Sequence, residues 1–251
     1  MTEDRLYTDP SLARFYDFDN HWGVDDDCCL MLARQAGSVL DLGCGSGRLA
    51  CAIARDTGAQ VTGVDPATAM LAIAAAKPGG DMVRWICADA RDLDLPHKFD
   101  LVLLGGHAFQ VFLDGPAQAA LLACIARHLS PAGRFIFDSR NPAVREWQDW
   151  TPKATLTLRD HPTLGPVESW NDVEWDEATA IATYQTHYRI LHTGRVCSAR
   201  SRIAFPGQAA LARAITDAGL VVDHWLGDWS GAAFDATRPE IIALGRIAPV
   251  G

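Results

Sequence analysis

The feature that most constrains this chain is an alternation, between Ser38 and Ser139, of short apolar β-branched runs with longer segments of helical periodicity. The strand-like runs are Ser38–Leu42, Val61–Asp65, Met82–Ala88, Phe99–Leu104 and Arg134–Ser139. The helical patterns between them cover Arg48–Asp56, Ala67–Lys77 and Pro116–Leu129. Because strands that alternate with helices are joined by right-handed crossovers, the pattern predicts an α/β fold with a doubly wound, mainly parallel sheet.

The pattern changes after Asn141, where polar and apolar residues alternate as they do in antiparallel strands with one solvated face. The expected strands lie near Thr155–Leu158, Val167–Trp175, Ile181–Leu191 and Arg195–Phe205. A helix is expected over Gly207–Ala218, and the runs Leu220–Leu226 and Glu240–Ile247 are expected to complete the main sheet. No repeat or low-complexity linker separates these segments, so the antiparallel part is predicted to be an insertion into a single domain.

Composition and charge exclude several classes of protein. The formal net charge of −9 disfavours a polyanion-binding surface, so nucleic acid is not an expected partner. The N-terminus is acidic and polar, and no uncharged apolar stretch approaches the ~20 residues that span a bilayer, so neither a signal peptide nor a membrane partner is expected. The seven cysteines form no C-x-x-C pair and no zinc-type cluster with histidine, which favours reduced thiols, a cytoplasmic location and no bound metal.

Three glycines follow the first predicted strand at alternate positions, Gly43, Gly45 and Gly47, and a helix is expected to begin directly afterwards. Glycine permits a sharp turn and lets a ligand approach the backbone closely. The helix N-terminus adds unpaired amides and the positive end of the helix dipole. The loop therefore predicts a cofactor-binding turn, although an ordinary connection between a strand and a helix can carry the same glycines.

Two acidic residues follow the next two predicted strands. Asp65 lies twenty residues after Gly45, where a carboxylate can accept hydrogen bonds from both hydroxyls of a ribose. Asp89, beside the amide of Ala90, suits the edge of an adenine; either aspartate could instead cap a helix or a turn. Because ligands of open α/β sheets bind outside the carboxyl ends of the strands, the three signals together predict one crevice for an adenosine cofactor.

The third glycine comes one residue earlier than in the dinucleotide motif G-x-G-x-x-G, and Asp41 precedes the loop, where its carboxylate would repel a pyrophosphate but accept from an ammonium group. The accompanying motifs are Asp41–Gly47, Gly63–Asp65 with Met70, Asp89–Ala90, Phe99–Asp100 and Leu129–Phe135. In this order, over roughly residues 30–140, they resemble the class I S-adenosylmethionine-dependent methyltransferases. One departure is Ala132, in a turn distant from the chemistry, where that family more often has glycine.

The resemblance implies S-adenosylmethionine as cofactor, S-adenosylhomocysteine as product, and a seven-stranded Rossmann-like sheet whose last strand is antiparallel. It also implies that Asp65 holds the ribose and that Asp89 with Ala90 holds the adenine. Aromatic residues near the N-terminus are expected to fold over the cofactor as a lid. The residues expected to contact the cofactor are Tyr16, Trp22, Asp41, Gly43, Cys44, Gly45, Gly47, Asp65, Met70, Asp89, Ala90, Gly105 and Gly106.

The methyl acceptor is expected near the end of the fourth strand, beside His107. In-line methyl transfer depends mainly on the orientation of the acceptor, and a general base is needed only when the nucleophile arrives protonated. His107 is the candidate catalytic residue, as a base or a substrate contact; the alternative is a histidine that stabilises its loop. The residues expected to contact the acceptor are His107, Arg140, Trp170, Tyr184 and Tyr188.

The predicted insertion carries two sets of opposite charges, with acidic residues on one strand and arginines on the next two. These residues are Glu168, Asp172, Glu174, Arg189, Arg195, Arg200 and Arg202. The arginines could form a wall that binds an anionic acceptor, or they could pair with the acids across neighbouring strands. The sequence leaves both interpretations open.

These expectations describe one methyltransferase domain over 1–251. It comprises an N-terminal helical lid (1–35), a cofactor-binding core (36–141), an antiparallel insertion that covers the acceptor (142–206) and a C-terminal part that completes the core sheet (207–251). The expected protein is a cytoplasmic monomer or homodimer that methylates a small molecule. The alternatives are a non-catalytic sensor of the cofactor or its product, a tRNA or rRNA methyltransferase, and a nicotinamide-dependent reductase.

Overall fold

The computed structural model describes residues 4–249, so the outermost residues of the predicted segments 1–35 and 207–251 lie outside the described part. The helices are α1 (Arg5–Thr8), α2 (Pro10–Ala13), α3 (Tyr16–Asp19), α4 (Val24–Ala33), α5 (Arg48–Thr57), α6 (Thr68–Ala75), α7 (Gly115–His128), α8 (Pro152–Thr155) and α9 (Gln208–Asp217). The strands are β1 (Ser38–Leu42), β2 (Gln60–Asp65), β3 (Val83–Cys87), β4 (Phe99–Leu104), β5 (Leu129–Arg140), β6 (Thr157–His161), β7 (Gly165–Asp176), β8 (Ile181–Ile190), β9 (Arg195–Ala204), β10 (Leu220–Leu226) and β11 (Glu240–Ile247). Within residues 4–249, no helix is both long and apolar enough to cross a membrane.

Seven strands form the main sheet in the order β10-β11-β5-β4-β1-β2-β3. Strands β1 to β5 pair in parallel, whereas β11 is antiparallel to both of its neighbours. The predicted fold class is therefore confirmed, including the antiparallel last strand. The chain order reverses between β1 and β4, and open α/β sheets bind ligands at such a reversal, outside the carboxyl ends of the strands.

Both faces of the sheet are buried because β1 and β4 are apolar at almost every position. Leu40 and Val102 pack into the cluster on one face, together with α7 and α9. Val39 and Leu103 pack into the cluster on the other face, together with α4 and α5. Since neighbouring side chains of a strand point to opposite faces, the consecutive apolar runs produce this two-sided core.

A second sheet, antiparallel and in the order β6-β7-β8-β9, is inserted between β5 and α9. The N-terminal helices pack on it: Leu12 and Phe15 share a buried cluster with Val167 and Tyr188. The N-terminal segment therefore lies against both the insertion and, through Tyr16, the glycine-rich turn that follows β1.

Gln110 ties the insertion to the core. It is fully buried, and its side-chain amide donates to the carbonyl of Ala204 at the end of β9 (2.8 Å). Its carbonyl oxygen accepts from Nη1 of Arg140 at the end of β5 (2.9 Å). These bonds fix the second sheet beside the carboxyl ends of β4 and β5.

Candidate functional site

The glycine loop between β1 and α5 has a backbone that side chains would not tolerate. Gly43, Gly45 and Gly47 all have positive φ values, of 66°, 53° and 71°. At Gly47, which caps α5, a Cβ would lie 2.5 Å from Cβ of Ala74 and 2.5 Å from the Trp85 ring. Left-handed backbone and close packing together account for glycine at this position.

Asp65 holds the loop from the end of β2. One of its carboxylate oxygens accepts from the amide of Gly45 (2.9 Å), and the other accepts from the amide of Ala67 (2.8 Å). Burial raises the pKa of Asp65, although these two hydrogen bonds oppose the rise. The carboxylate is thus held in a fixed position at the rim of the loop.

Asp41 lies at the end of β1 with only 4% of its surface exposed and with no ion pair to a described residue. Burial, followed by the nearby charges of Asp65 and Asp26, raises its pKa to about 7. A buried carboxylate without a cation is costly, so this position favours a cationic ligand group.

The N-terminal segment closes over the loop. The Tyr16 hydroxyl lies 3.3 Å from where a Cβ on Gly45 would be, and burial raises the pKa of Tyr16 to about 12. Asp17 accepts hydrogen bonds from the hydroxyl of Ser46 and from the Lys77 ammonium group. The N-terminal segment therefore contacts the loop at Ser46, and its role as a lid over a cofactor stays a prediction.

A cleft lies between the loop, the lid and the end of β4. Its lining residues are Tyr16, Asp25, Asp26, Cys29, Asp41, Gly43, Cys44, Ser46, Arg48, Leu49, Gly105, Gly106 and Trp229. Arg48 and Trp229 were not predicted as site residues; Arg48 directly follows the loop and forms an ion pair with Asp26 (2.9 Å). The sequence signal for Arg48 as a site residue is its position at the start of α5, directly after the glycine loop.

The predicted adenine subsite differs from expectation at Asp89. Its carboxylate accepts from the guanidinium of Arg91 at 2.6 and 3.0 Å and caps the following 3₁₀ turn. The hydrogen bonds from Arg91 lower the pKa of Asp89 despite partial burial. Ala90 is buried at the same strand end, and Met70 is fully buried in a cluster that includes Tyr16.

His107 follows Gly106 just beyond β4, in a left-handed conformation with φ of 60°. Its Nε2 lies 3.0 and 3.1 Å from the two carboxylate oxygens of Glu240, on β11, and 3.5 Å from an oxygen of Asp138, on β5. The His107 amide also donates to Asp138 (3.0 Å). Burial acts to lower the pKa of His107, but the charges of Asp138 and Glu240 outweigh it and the net shift is upward.

The donor atoms of His107, Asp138 and Glu240 all lie within 4.8 Å of one another, a spacing that could also hold a metal ion. Their contacts are those of a hydrogen-bonded cluster, because Nε2 faces both oxygens of Glu240 at hydrogen-bonding distance. Glu240 was not predicted from the sequence: it lies 133 positions from His107, and nothing local marks it.

Arg140 lies at the end of β5, where an acceptor contact was expected, and it is held from several sides. It donates to Gln110, approaches Glu146 at 3.4 Å and lies over the Trp150 ring at 5.3 Å. Tyr184 meets the same Trp150 ring edge-on, with 5.6 Å between centroids. Arg140 and Tyr184 therefore belong to one polar-aromatic group between the core and the insertion.

Several predicted contacts do not line the cleft, and three of them, Trp22, Trp170 and Tyr188, are engaged by other side chains. Trp22 is 41% exposed and donates from its indole nitrogen to Asp27 (2.7 Å). Trp170 stacks on His187 on the insertion sheet (5.0 Å between centroids). Tyr188 is buried against Phe15, with the rings stacked at 4.1 Å, because the N-terminal helices cover that face of the sheet.

Two of the four arginines on the insertion sheet pair with acids of β7. Arg189 faces Glu168 in the strand register and bonds to it (2.9 Å). Arg200, on β9, reaches across β8 to Glu174 (3.1 Å). Of the two interpretations left open by the sequence, these contacts favour charge pairing on a solvated sheet.

The part of the chain that contains the glycine loop is similar to a known protein family. Residues 39–133 match the family model described as "Methyltransferase domain". The match begins in β1, includes the glycine loop, Asp65 and Asp89, and ends in β5. Over residues 39–133, which are less than half of the chain, the sequence is therefore similar to methyltransferase domains.

Relatives of the methyltransferase domain differ in what their names say they methylate. A cypemycin N-terminal methyltransferase from Streptomyces sp is 37% identical over 106 residues, which cover 42% of this chain and 43% of that protein. A ubiquinone biosynthesis O-methyltransferase from Idiomarina loihiensis is 33% identical over 131 residues, which cover 47% and 52%. The chain thus spans about half the length of the curated relatives it matches.

The likeness of fold extends beyond the methyltransferase domain to nearly the whole chain. The CcbJ methyltransferase from Streptomyces caelestis superposes with a TM-score of 0.77 over 95% of this chain and 96% of that one, at 22% identity. At that identity the likeness concerns the fold, and it includes the region outside residues 39–133.

Proposed function

We propose that this protein transfers a methyl group from S-adenosylmethionine to a small-molecule acceptor. The observation that carries the proposal is the cleft at the ends of β1 and β4, where the glycine loop and Asp41 converge within the matched domain. Asp65, at the end of the adjacent β2, fixes the same loop through Gly45.

The polar groups of the cleft fit the ends of this cofactor. Asp41 is a buried carboxylate without an ion-pair partner in residues 4–249, which suits the ammonium group of the methionine part. Nε of Arg48 is buried and makes no hydrogen bond to any described residue, so the guanidinium has a donor left for the methionine carboxylate. We assign Asp65 to the ribose hydroxyls. We assign the backbone of Ala90 to the adenine.

The cofactor supplies an activated methyl carbon when it is bound, so the chain's main task is orientation. Positioning alone can contribute roughly 7–11 kcal/mol toward the barrier of such a reaction. Gly105 and Gly106 leave open space beside the cleft, since a Cβ on either would have no neighbour within 4 Å. His107 follows them and is assigned as a base or a substrate contact at the acceptor end.

The remaining assignments are proposals of the same kind. Free thiols at all seven cysteines support a reducing, cytoplasmic compartment. The acidic net charge supports a small acceptor in preference to RNA, and we infer a monomer or homodimer. Because the names of the relatives include both N- and O-methyltransferases, they leave the acceptor atom open.

The test combines binding with turnover. We expect S-adenosylhomocysteine to raise the melting temperature and to bind in titration calorimetry, whereas NADH does neither. A screen of metabolite pools should then show consumption of S-adenosylmethionine and a product that carries one added methyl group. Binding without consumption would favour a sensor, and NADH binding without S-adenosylhomocysteine binding would favour a reductase.

A further inference from the structure

The cluster of His107, Asp138 and Glu240 joins the ends of β4, β5 and β11 next to Gly106, which lines the cleft. Asp138 is 1% exposed and Glu240 is 14% exposed, whereas His107 keeps 22% of its side chain accessible. One imidazole thus separates two carboxylates from the accessible rim.

The contacts of the ring define which nitrogen can react. Nε2 faces Glu240, so the neutral ring carries its proton there and donates it to the carboxylate. Nδ1 makes no hydrogen bond within residues 4–249, and it is not among the buried polar atoms that lack a partner there. The Nδ1 lone pair is therefore the free, basic position of His107.

The charges around the ring restrict the acceptor. Asp138 and Glu240 face His107 from two strands, and Arg140 is the cation that acts on it from β5. Arg140 is itself engaged by Gln110 and Glu146. A carboxylate acceptor would meet repulsion here, whereas a protonated amine would meet a complementary field.

We propose that Glu240 positions His107 to accept a proton from an amine acceptor that arrives as an ammonium ion. This inference rests on the proposed methyl transfer. The ammonium gives one proton to Nδ1 of His107, and the freed nitrogen lone pair forms a bond to the methyl carbon. The carbon–sulfur bond breaks, its electron pair stays on sulfur, and His107 later releases the proton to water.

The first experiment reads the histidine directly, in the protein with S-adenosylhomocysteine. Nitrogen-15 NMR of labelled histidine should show neutral His107 with its proton on Nε2. Glu240→Gln should lower the pKa of His107, because the carboxylate that stabilises the imidazolium is gone. Glu174→Gln, the same change on the exposed insertion sheet, should leave that pKa unchanged. A proton on Nδ1, or an unchanged pKa in Glu240→Gln, would overturn the positioning role.

The second experiment tests the acceptor class with benzylamine against benzyl alcohol and cyclohexylamine against cyclohexanol. The amines should shift the His107 resonances at concentrations at least about 10-fold lower than the alcohols, a difference of ~1.4 kcal/mol. Equal or weaker effects of the amines, or silence of both classes, would overturn the amine assignment.

Turnover gives the third readout. With an amine that is methylated, Glu240→Gln should lower kcat by at least about 10-fold, which is part of the roughly 10²–10⁴-fold that general-base catalysis supplies, and should move the acid limb of the pH profile to lower pH. A fall in kcat with an unmoved limb would contradict the proposal. If S-adenosylhomocysteine does not bind, the proposed function fails, while the tautomer and pKa of His107 in the free protein still decide the role of Glu240.

Discussion

The two ends of the site are built differently. The proposed cofactor end consists of residues at the ends of neighbouring strands, from Asp41 to Ala90, and Asp65 binds the backbone amides of Gly45 and Ala67. The proposed acceptor end joins His107 to Glu240 across 133 positions and borders on an inserted sheet. The first end uses residues that each follow their own strand in the sequence. The second end depends on a contact between residues that are far apart in the sequence.

The electrostatics differ in the same way. At the cofactor end, Asp41 is buried without an ion pair in residues 4–249, and its pKa is raised to about 7. At the acceptor end, the acids surround a histidine and raise its pKa. At the first end a buried carboxylate lacks a cation among the described residues, whereas at the second end two carboxylates surround one titratable imidazole.

The largest effect is expected from Asp65→Ala. The change removes the proposed ribose acceptor and leaves the amides of Gly45 and Ala67 without their partner, which costs about 1–3 kcal/mol per buried group. Calorimetry should detect no S-adenosylhomocysteine binding, while circular dichroism shows a folded protein. Unchanged affinity would remove Asp65 from the cofactor end.

His107→Asn should change turnover far more than it changes cofactor affinity. Turnover should fall by about 10²–10⁴-fold because the proposed base is lost, while cofactor affinity changes by less than about 3-fold. The measurements are kcat from S-adenosylhomocysteine release and Kd from calorimetry. Equal activity of the variant and the wild type across about pH 6–9 would make His107 a loop-stabilising residue.

Gly47→Ala probes the loop through its backbone, and Gly58→Ala is its matched control. Both glycines have positive φ values, 71° and 76°, but only at Gly47 does a Cβ meet neighbours, at 2.5 Å. We expect the free energy of unfolding, measured in urea, to fall by about 2–4 kcal/mol for Gly47→Ala and by about 1–2 kcal/mol for Gly58→Ala. Equal losses would show that the crowding at Gly47 has no energetic weight.

Asp41→Asn should stabilise the ligand-free protein while weakening cofactor binding. Because burial raises the pKa of Asp41, its contribution to stability is complete below the ordinary aspartate pKa and is lost as pH rises through about 7. The variant should therefore melt about 2–8 °C above the wild type near pH 8 and at the same temperature near pH 4. Cofactor affinity should fall about 10–100-fold. A variant that melts lower near pH 8 would contradict the assignment.

Arg200→Ala should have the smallest effect. Its pair with Glu174 is exposed on both sides, and such pairs contribute about 0–1 kcal/mol. Melting temperature and kcat should both stay close to those of the wild type. A large rise in KM for the acceptor would revive the anion-binding wall.

The sequence predicted the fold well because the main sheet depends on short local patterns. The predicted bounds of β1, β4, β10 and β11 match those observed, since consecutive apolar residues bounded by turns define each strand. The largest difference between predicted and observed strand bounds is at β5. This strand begins at Leu129 instead of Arg134, because the residues of the predicted turn are part of the strand.

At the site, local patterns place a residue that borders its own strand, whereas tertiary contacts decide the rest. The structure brings Asp41, Gly43 and Tyr16 to one cleft. Asp89 pairs with Arg91, and the local sequence alone could not distinguish this pair from a carboxylate that binds adenine. Trp170 and Tyr188 depend on which face of the inserted sheet the N-terminal helices cover, and no local pattern encodes that choice.

The most direct test of cofactor binding at these strand ends is a crystal structure of the protein with S-adenosylhomocysteine. We expect the ribose hydroxyls at hydrogen-bonding distance from Asp65, the amino group beside Asp41 and the sulfur next to Gly105. A ligand bound elsewhere, or a cleft that stays empty at saturating ligand, would contradict the assignment of this site.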